Sequence, residues 1–111
     1  MAKFVTIGYG DEEGYANTDR AVLDAAHAHD GEMQRAGVEM GIAGSPVQVR
    51  NHDAQGVSTQ DGAFLMSALP LAGFSLLEAE SLEEAIEIVS KSPCAVAQGV
   101  IEIWPLQDAP S

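Results

Sequence analysis

Two periods of apolar and polar positions run along the chain, one of two residues and one of three to four; they mark strands and helices respectively. Lys3 to Tyr9 (Lys-Phe-Val-Thr-Ile-Gly-Tyr) is rich in β-branched and aromatic residues and predicts a strand. Gly10 to Gly14, with three acids between the glycines, predicts a turn or loop. Val22, Ala25, Ala26, His29, Met33 and Ala36 then share one helical face, so a helix is expected from Thr18 to Ala36. Asn17, Thr18 and Asp19 supply N-cap candidates, and Gly37 a left-handed stop. Val38 to Ala43 is a short apolar strand, Gly44-Ser45-Pro46 a bend, and Val47 to Arg50 an alternating strand to which Val57 to Gln60 can return as a hairpin arm. Asp61-Gly62 is a turn signal. Leu71 to Ala79 is a further strand. Ser81, with Glu84 three residues on, opens a second helix with a Leu82, Ala85, Ile86, Val89 stripe, ended by Ser92-Pro93. Val100 to Leu106 closes the pattern, and Gln107 to Ser111 reads as a loose tail.

The order β-α-β-β-α-β predicts one α+β domain, residues 1–111, of ferredoxin-like (split βαβ) architecture: a four-stranded antiparallel sheet with two helices on one face. Two helices cover only one side of such a sheet. The exposed side predicts a homodimer packed sheet to sheet.

Composition narrows the partners. The 17 acidic side chains outweigh the 5 basic ones for a net charge of −12, which disfavours nucleic acid and anionic membrane surfaces. No apolar stretch approaches the roughly 20 residues of a membrane span. The single cysteine, Cys94, leaves no intrachain disulfide and fits a reducing compartment. Met1 to Gly10 lacks a signal-peptide cleavage pattern, so a cytoplasmic protein is expected.

Chemistry-bearing residues are few. His29, on the apolar helix face between Ala26 and Met33, is either a core histidine bonded to backbone or an acid–base group. Asp61 is either an ordinary turn aspartate or the partner that orients His29. Tyr9, Phe64 and Phe74 are core aromatics or the walls of a pocket, with Met33 and Ser45 as further lining candidates. His27 falls off the apolar stripe and points away from His29, so the two cannot chelate one metal from a regular helix. Cys94 has no basic neighbour closer than Lys91 and reads as inert. No nucleophile elbow, phosphate loop or dinucleotide fingerprint is present, and no metal or cofactor is expected.

Gly73-Phe74-Ser75-Leu76-Leu77-Glu78-Ala79, running into Ser81-Leu82-Glu83-Glu84-Ala85-Ile86, resembles the third strand and second helix of the YCII-related domain family. Asp61-Gly62-Ala63-Phe64 is similar to the Asp-Gly-Pro-Phe signature of its DGPF branch, with Ala63 in place of proline. The order and spacing of Phe4 to Gly10 and of Gly99 to Pro105 fit the same pattern, so the resemblance covers about Lys3 to Leu106. It implies a dimeric α+β barrel and a pocket in which a histidine and an aspartate act together. The family histidine falls nearest Ala26, with His27 beside it and His29 further along. The resulting expectation is a small-molecule pocket with lyase- or hydrolase-type chemistry carried by His29 and Asp61. The alternatives are a non-catalytic ligand-binding or regulatory dimer of DGPF type, and a module that meets a basic partner through its acidic surface.

Overall fold

A computed structural model describes residues 1–108. Its strands are β1 (Ala2–Tyr9), β2 (Glu39–Ile42), β3 (Val47–Arg50), β4 (Ser58–Asp61), β5 (Leu71–Ala79) and β6 (Val100–Leu106). Its α-helices are α1 (Glu12–Ala16), α2 (Arg20–Arg35), α3 (Leu82–Val89) and α4 (Pro93–Val96). The main sheet is antiparallel, in the order β2-β5-β1-β6. This α+β arrangement is compatible with a ferredoxin-like fold, with β3 and β4 added as a separate two-stranded hairpin.

Register decides which side chains meet the helices. Phe4 lies opposite Leu77, Thr6 opposite Ser75 and Gly8 opposite Gly73, and β6 contributes Ile101 and Ile103 to the same face. Phe4, Leu77, Ala79, Ala85 and Val89 form the buried core, joined by Met33, Val38 and Ile88. Both α2 and α3 therefore cover this one face. Burying Phe4 and Leu77 contributes about 1.5–3 kcal/mol each. The opposite face carries Val5, Ile7, Phe74, Leu76 and Trp104, and the last three of these are exposed.

Helix ends follow local chemistry. Ser81 Oγ accepts from the Glu84 N–H at 3.1 Å, while the Glu84 carboxylate accepts from the Glu80 N–H, one residue before the cap. Gly37 ends α2 at φ 99°. The segment expected to be a turn after Gly10 is instead α1. Asp11 caps it by accepting from the Gly14 N–H at 2.9 Å, and Glu12 and Glu13 complement its N-terminal dipole. Beyond Ser92 the chain makes one more helical turn, α4, because Pro93 is pre-set for the first helical position.

The β3–β4 hairpin stands clear of the main sheet, with Val47, Val49 and Phe64 exposed. The molecule is accordingly long, 53 × 35 × 22 Å. Among the described residues no helix is long and apolar enough to cross a membrane.

The α4 turn sits against the end of β1, and α1 against the α4 turn, without intervening side chains. A Cβ on Gly99 would strike the Tyr9 carbonyl and stand 2.6 Å from the Cys94 carbonyl, and one on Gly14 would strike the Ala97 carbonyl. Gly99→Ala should lower stability by about 1–3 kcal/mol or more, read as the urea midpoint. Gly44→Ala, whose added methyl meets open space, should stay within about 0.5 kcal/mol of the parent.

Candidate functional site

Where α2, α1 and α4 bridge over the sheet they leave a cavity of about 350 Å³, near the lower end of the roughly 300–1,000 Å³ usual for small-molecule sites. Its floor is β1 and β5. Gly8 and Gly73 keep that floor low, and the Thr6 and Ser75 hydroxyls share a hydrogen bond of 2.5 Å across it. Met33, Met40 and Ile101 give it apolar walls.

Four ionisable groups converge on this space: Tyr15 from α1, His27 and Asp30 from α2, and Cys94 from α4. Each is placed by its own short element. The Asp11 cap starts α1 so that Tyr15 turns inward, with its ring 6.3 Å from that of His27. Pro93 starts α4 so that Cys94 faces β1, where a Cβ on Gly8 would lie only 3.0 Å from its Sγ. His27 and Asp30, three residues apart, share one side of α2.

Loss of water dominates the electrostatics here. Burial pushes the Tyr15 phenol up to about 12, helped by neighbouring Cys94 and Asp30. Burial also raises the Cys94 thiol and Asp30 adds to the rise, although the Tyr15 phenol partly offsets it. The Asp30 carboxyl is raised by burial too, against the opposing pull of His29 and His27. Tyr15 is thus held as a neutral hydrogen-bond donor and Cys94 as a thiol, not a thiolate nucleophile. Asp30 has no hydrogen-bond or ion-pair partner among the described residues. No group of three or more metal-binding side chains occurs among those residues either.

The residues singled out in the sequence are scattered. His29 Nε2 meets the Ile88 carbonyl at 2.8 Å, so the ring donates to backbone and ties α2 to α3. Asp61 ends β4, exposed, opposite Val47 in the hairpin. No hydrogen bond or ion pair joins His29 to Asp61, and neither lines the cavity. Met33 does line it. Tyr9 lies on the other face of the sheet, where its hydroxyl donates to Glu102 at 3.1 Å. Ser45 is exposed in the bend after β2, and Phe64 borders a shallow second hollow beside the hairpin, 5.9 Å from the Arg50 guanidinium.

Tyr15, Asp30 and Cys94 were not legible as a group. Apolar periodicity marks the side of α2 that carries His29 and Met33, of which only Met33 reaches the cavity, whereas His27 and Asp30 fall off that stripe. The Asp11-Glu12-Glu13 run was the available signal: it is an N-cap followed by first-turn acids.

Compared with models of known protein families and with curated proteins, the chain matches none.

Asp30 gives a signed test. Folding raises its pKa from the ordinary 3.8, so its contribution to stability is fully present below pH 3.8 and is lost as pH rises through the raised value. Asp30→Asn should therefore raise the thermal midpoint at neutral pH and leave it unchanged below pH 3.8, as calorimetry across that range would read.

Proposed function

We propose that this chain is a small-molecule-handling protein of ferredoxin-like fold whose ligand occupies the cavity over β1 and β5. The observation that carries this reading is the convergence of Tyr15, His27 and Asp30 on a cavity whose other lining is largely apolar, Met33, Met40 and Ile101 among it. His27, rather than His29, is the histidine a ligand would meet, because the His29 Nε2 is already engaged by Ile88. In a reaction, His27 would take a proton from the ligand and the neutral Tyr15 phenol would donate a hydrogen bond to the charge that develops. That is acid–base chemistry of the elimination or isomerisation type. A non-catalytic ligand-binding protein is the second reading. It is favoured by the protonated state of Cys94, which leaves the cavity without an activated nucleophile. The element order and the Asp61-Gly62-Ala63-Phe64 turn support kinship with the YCII-related domain family.

A fragment screen by protein-detected NMR should find ligands that shift Tyr15, Met33 and Cys94 together. Tyr15→Phe should weaken those ligands by about threefold to tenfold. Hits confined to the hairpin, with the cavity silent, would remove the reading. Mass spectrometry of a bound ligand after prolonged incubation separates the two forms: a new product supports catalysis, and an unchanged ligand supports binding alone.

The proposal includes a homodimer formed through the open sheet face. The chain exposes 7797 Å², about 2,000 Å² more than the roughly 5,800 Å² of a compact monomer of 11.6 kDa. The projecting hairpin and the open sheet face share this surplus, and Phe74, Leu76 and Trp104 would supply the apolar centre of the interface. Sedimentation equilibrium should give twice the 11.6 kDa chain mass, and Trp104→Arg should shift it towards one. A wild-type chain that stays monomeric at micromolar concentration would exclude this assembly.

A further inference from the structure

We propose that the cavity selects a small ligand carrying an ammonium group on an apolar, aromatic-sized body, and that Asp30 receives the ammonium. The inference deepens the proposed function and rests on that cavity being the ligand site.

Charge bookkeeping within the fold supports it. No lysine or arginine lines the cavity. Four of the chain's five lysines and arginines have partners elsewhere, and the fifth, Arg35, does not line the cavity. Lys3 pairs with Glu78 at 3.9 Å on the open sheet face, Arg20 with Asp24 at 3.4 Å, and Lys91 with Glu87 at 3.6 Å. Arg50 bonds Gln48 on the hairpin, and Arg35 lies over Gly31 on α2. An anionic ligand would meet no lysine or arginine here, only the exposed His27 imidazole, and it would lie beside the Asp30 carboxylate, which repels it.

Asp30 is the complementary observation. It is half-buried and unpartnered at the cavity wall, while the hydroxyls on the floor, Thr6 and Ser75, already satisfy each other. Partial burial raises its carboxyl, and the pull of His29 and His27 only partly offsets this, so the charge at this wall is incompletely solvated. An ammonium replaces the missing solvation with a charge-assisted hydrogen bond. Tyr15 contributes a neutral aromatic face to the same cavity, which favours a cation over a carboxylate. Met33, Met40 and Ile101 take the apolar body, and methionine adapts to its outline.

Three probes of one skeleton test the inference: phenethylamine, phenethyl alcohol and hydrocinnamate, titrated into the full chain and followed by NMR. Phenethylamine should bind about tenfold more tightly than the alcohol, with hydrocinnamate weakest. Asp30→Asn should cost the amine about tenfold and bring the three probes within about threefold of one another. Glu32→Gln removes one exposed charge from the same helix and should leave the order intact, which separates a local contact from the field of the −12 chain. Equal or tighter binding of hydrocinnamate overturns the inference, as does amine preference that survives in Asp30→Asn. If the alcohol or hydrocinnamate shifts Tyr15 and Met33 but the amine does not, the ligand site stands and this inference falls. If no probe perturbs the cavity at all, both fall together.

Discussion

Backbone-to-backbone contact at one end of β1 governs the functional half of the molecule. Gly14 lies against the Ala97 carbonyl, and Gly99 against the Tyr9 and Cys94 carbonyls, so that α1 settles on the α4 turn and the α4 turn on the strand. A side chain at either position would lift a turn away by the width of a methyl group. Tyr15 and Cys94 would withdraw with it, and the cavity would open to bulk water. Gly8 extends the same logic to the floor, since the Cys94 sulfur occupies the space its side chain would have filled. Close packing of this kind transmits small changes in volume because protein interiors have little slack to absorb them.

The same closeness explains the electrostatics. Burial is the leading cause of the upward shifts at Tyr15, Asp30 and Cys94, and the three groups also act on one another. Their proximity is sustained by hydrophobic packing of the helices, not by ion pairs. The salt bridges among the described residues, Lys3–Glu78, Arg20–Asp24 and Lys91–Glu87, all lie at exposed positions where each is worth about 1 kcal/mol or less. Charge therefore tunes the site while apolar burial holds it together.

The strands of the main sheet and the two longer helices could be read from their apolar patterns because the sheet and these helices pack against one another, whereas the exposed β3–β4 hairpin was marked by alternation and turn residues alone. β3, β5 and β6 begin and end where their alternation does, and α3 starts at the Ser81–Glu84 cap. The site was harder to read because it draws on short elements and on a second helix face. Gly14 looks like a turn residue, yet it sits inside α1 because Asp11 caps that helix and Ala97 needs the space. His27 looks solvent-facing when α2 is considered alone; it does stay exposed, and it borders the cavity only because α1 brings the Tyr15 ring to 6.3 Å from it. His29 could be placed on the inward face; its partner, a backbone carbonyl 59 residues away, carries no side-chain signature. Met33, which serves both core and cavity, was legible for the first reason and became a lining residue for the second.

The cavity joins distant parts of the chain: Thr6 from β1, His27 from α2, Ser75 from β5 and Ile101 from β6. β1 holds β6 by a register that pairs Lys3 with Leu106. Such high contact order carries a loop-closure cost that is repaid only when the far strand arrives, and folding through it is slow. During synthesis, α2 and the hairpin emerge and can form long before β6 leaves the ribosome. The cavity is therefore completed only with the docking of the final strand: a nascent chain stalled before Val100 would carry every lining residue but Ile101, without the strand that β1 pairs with on that side.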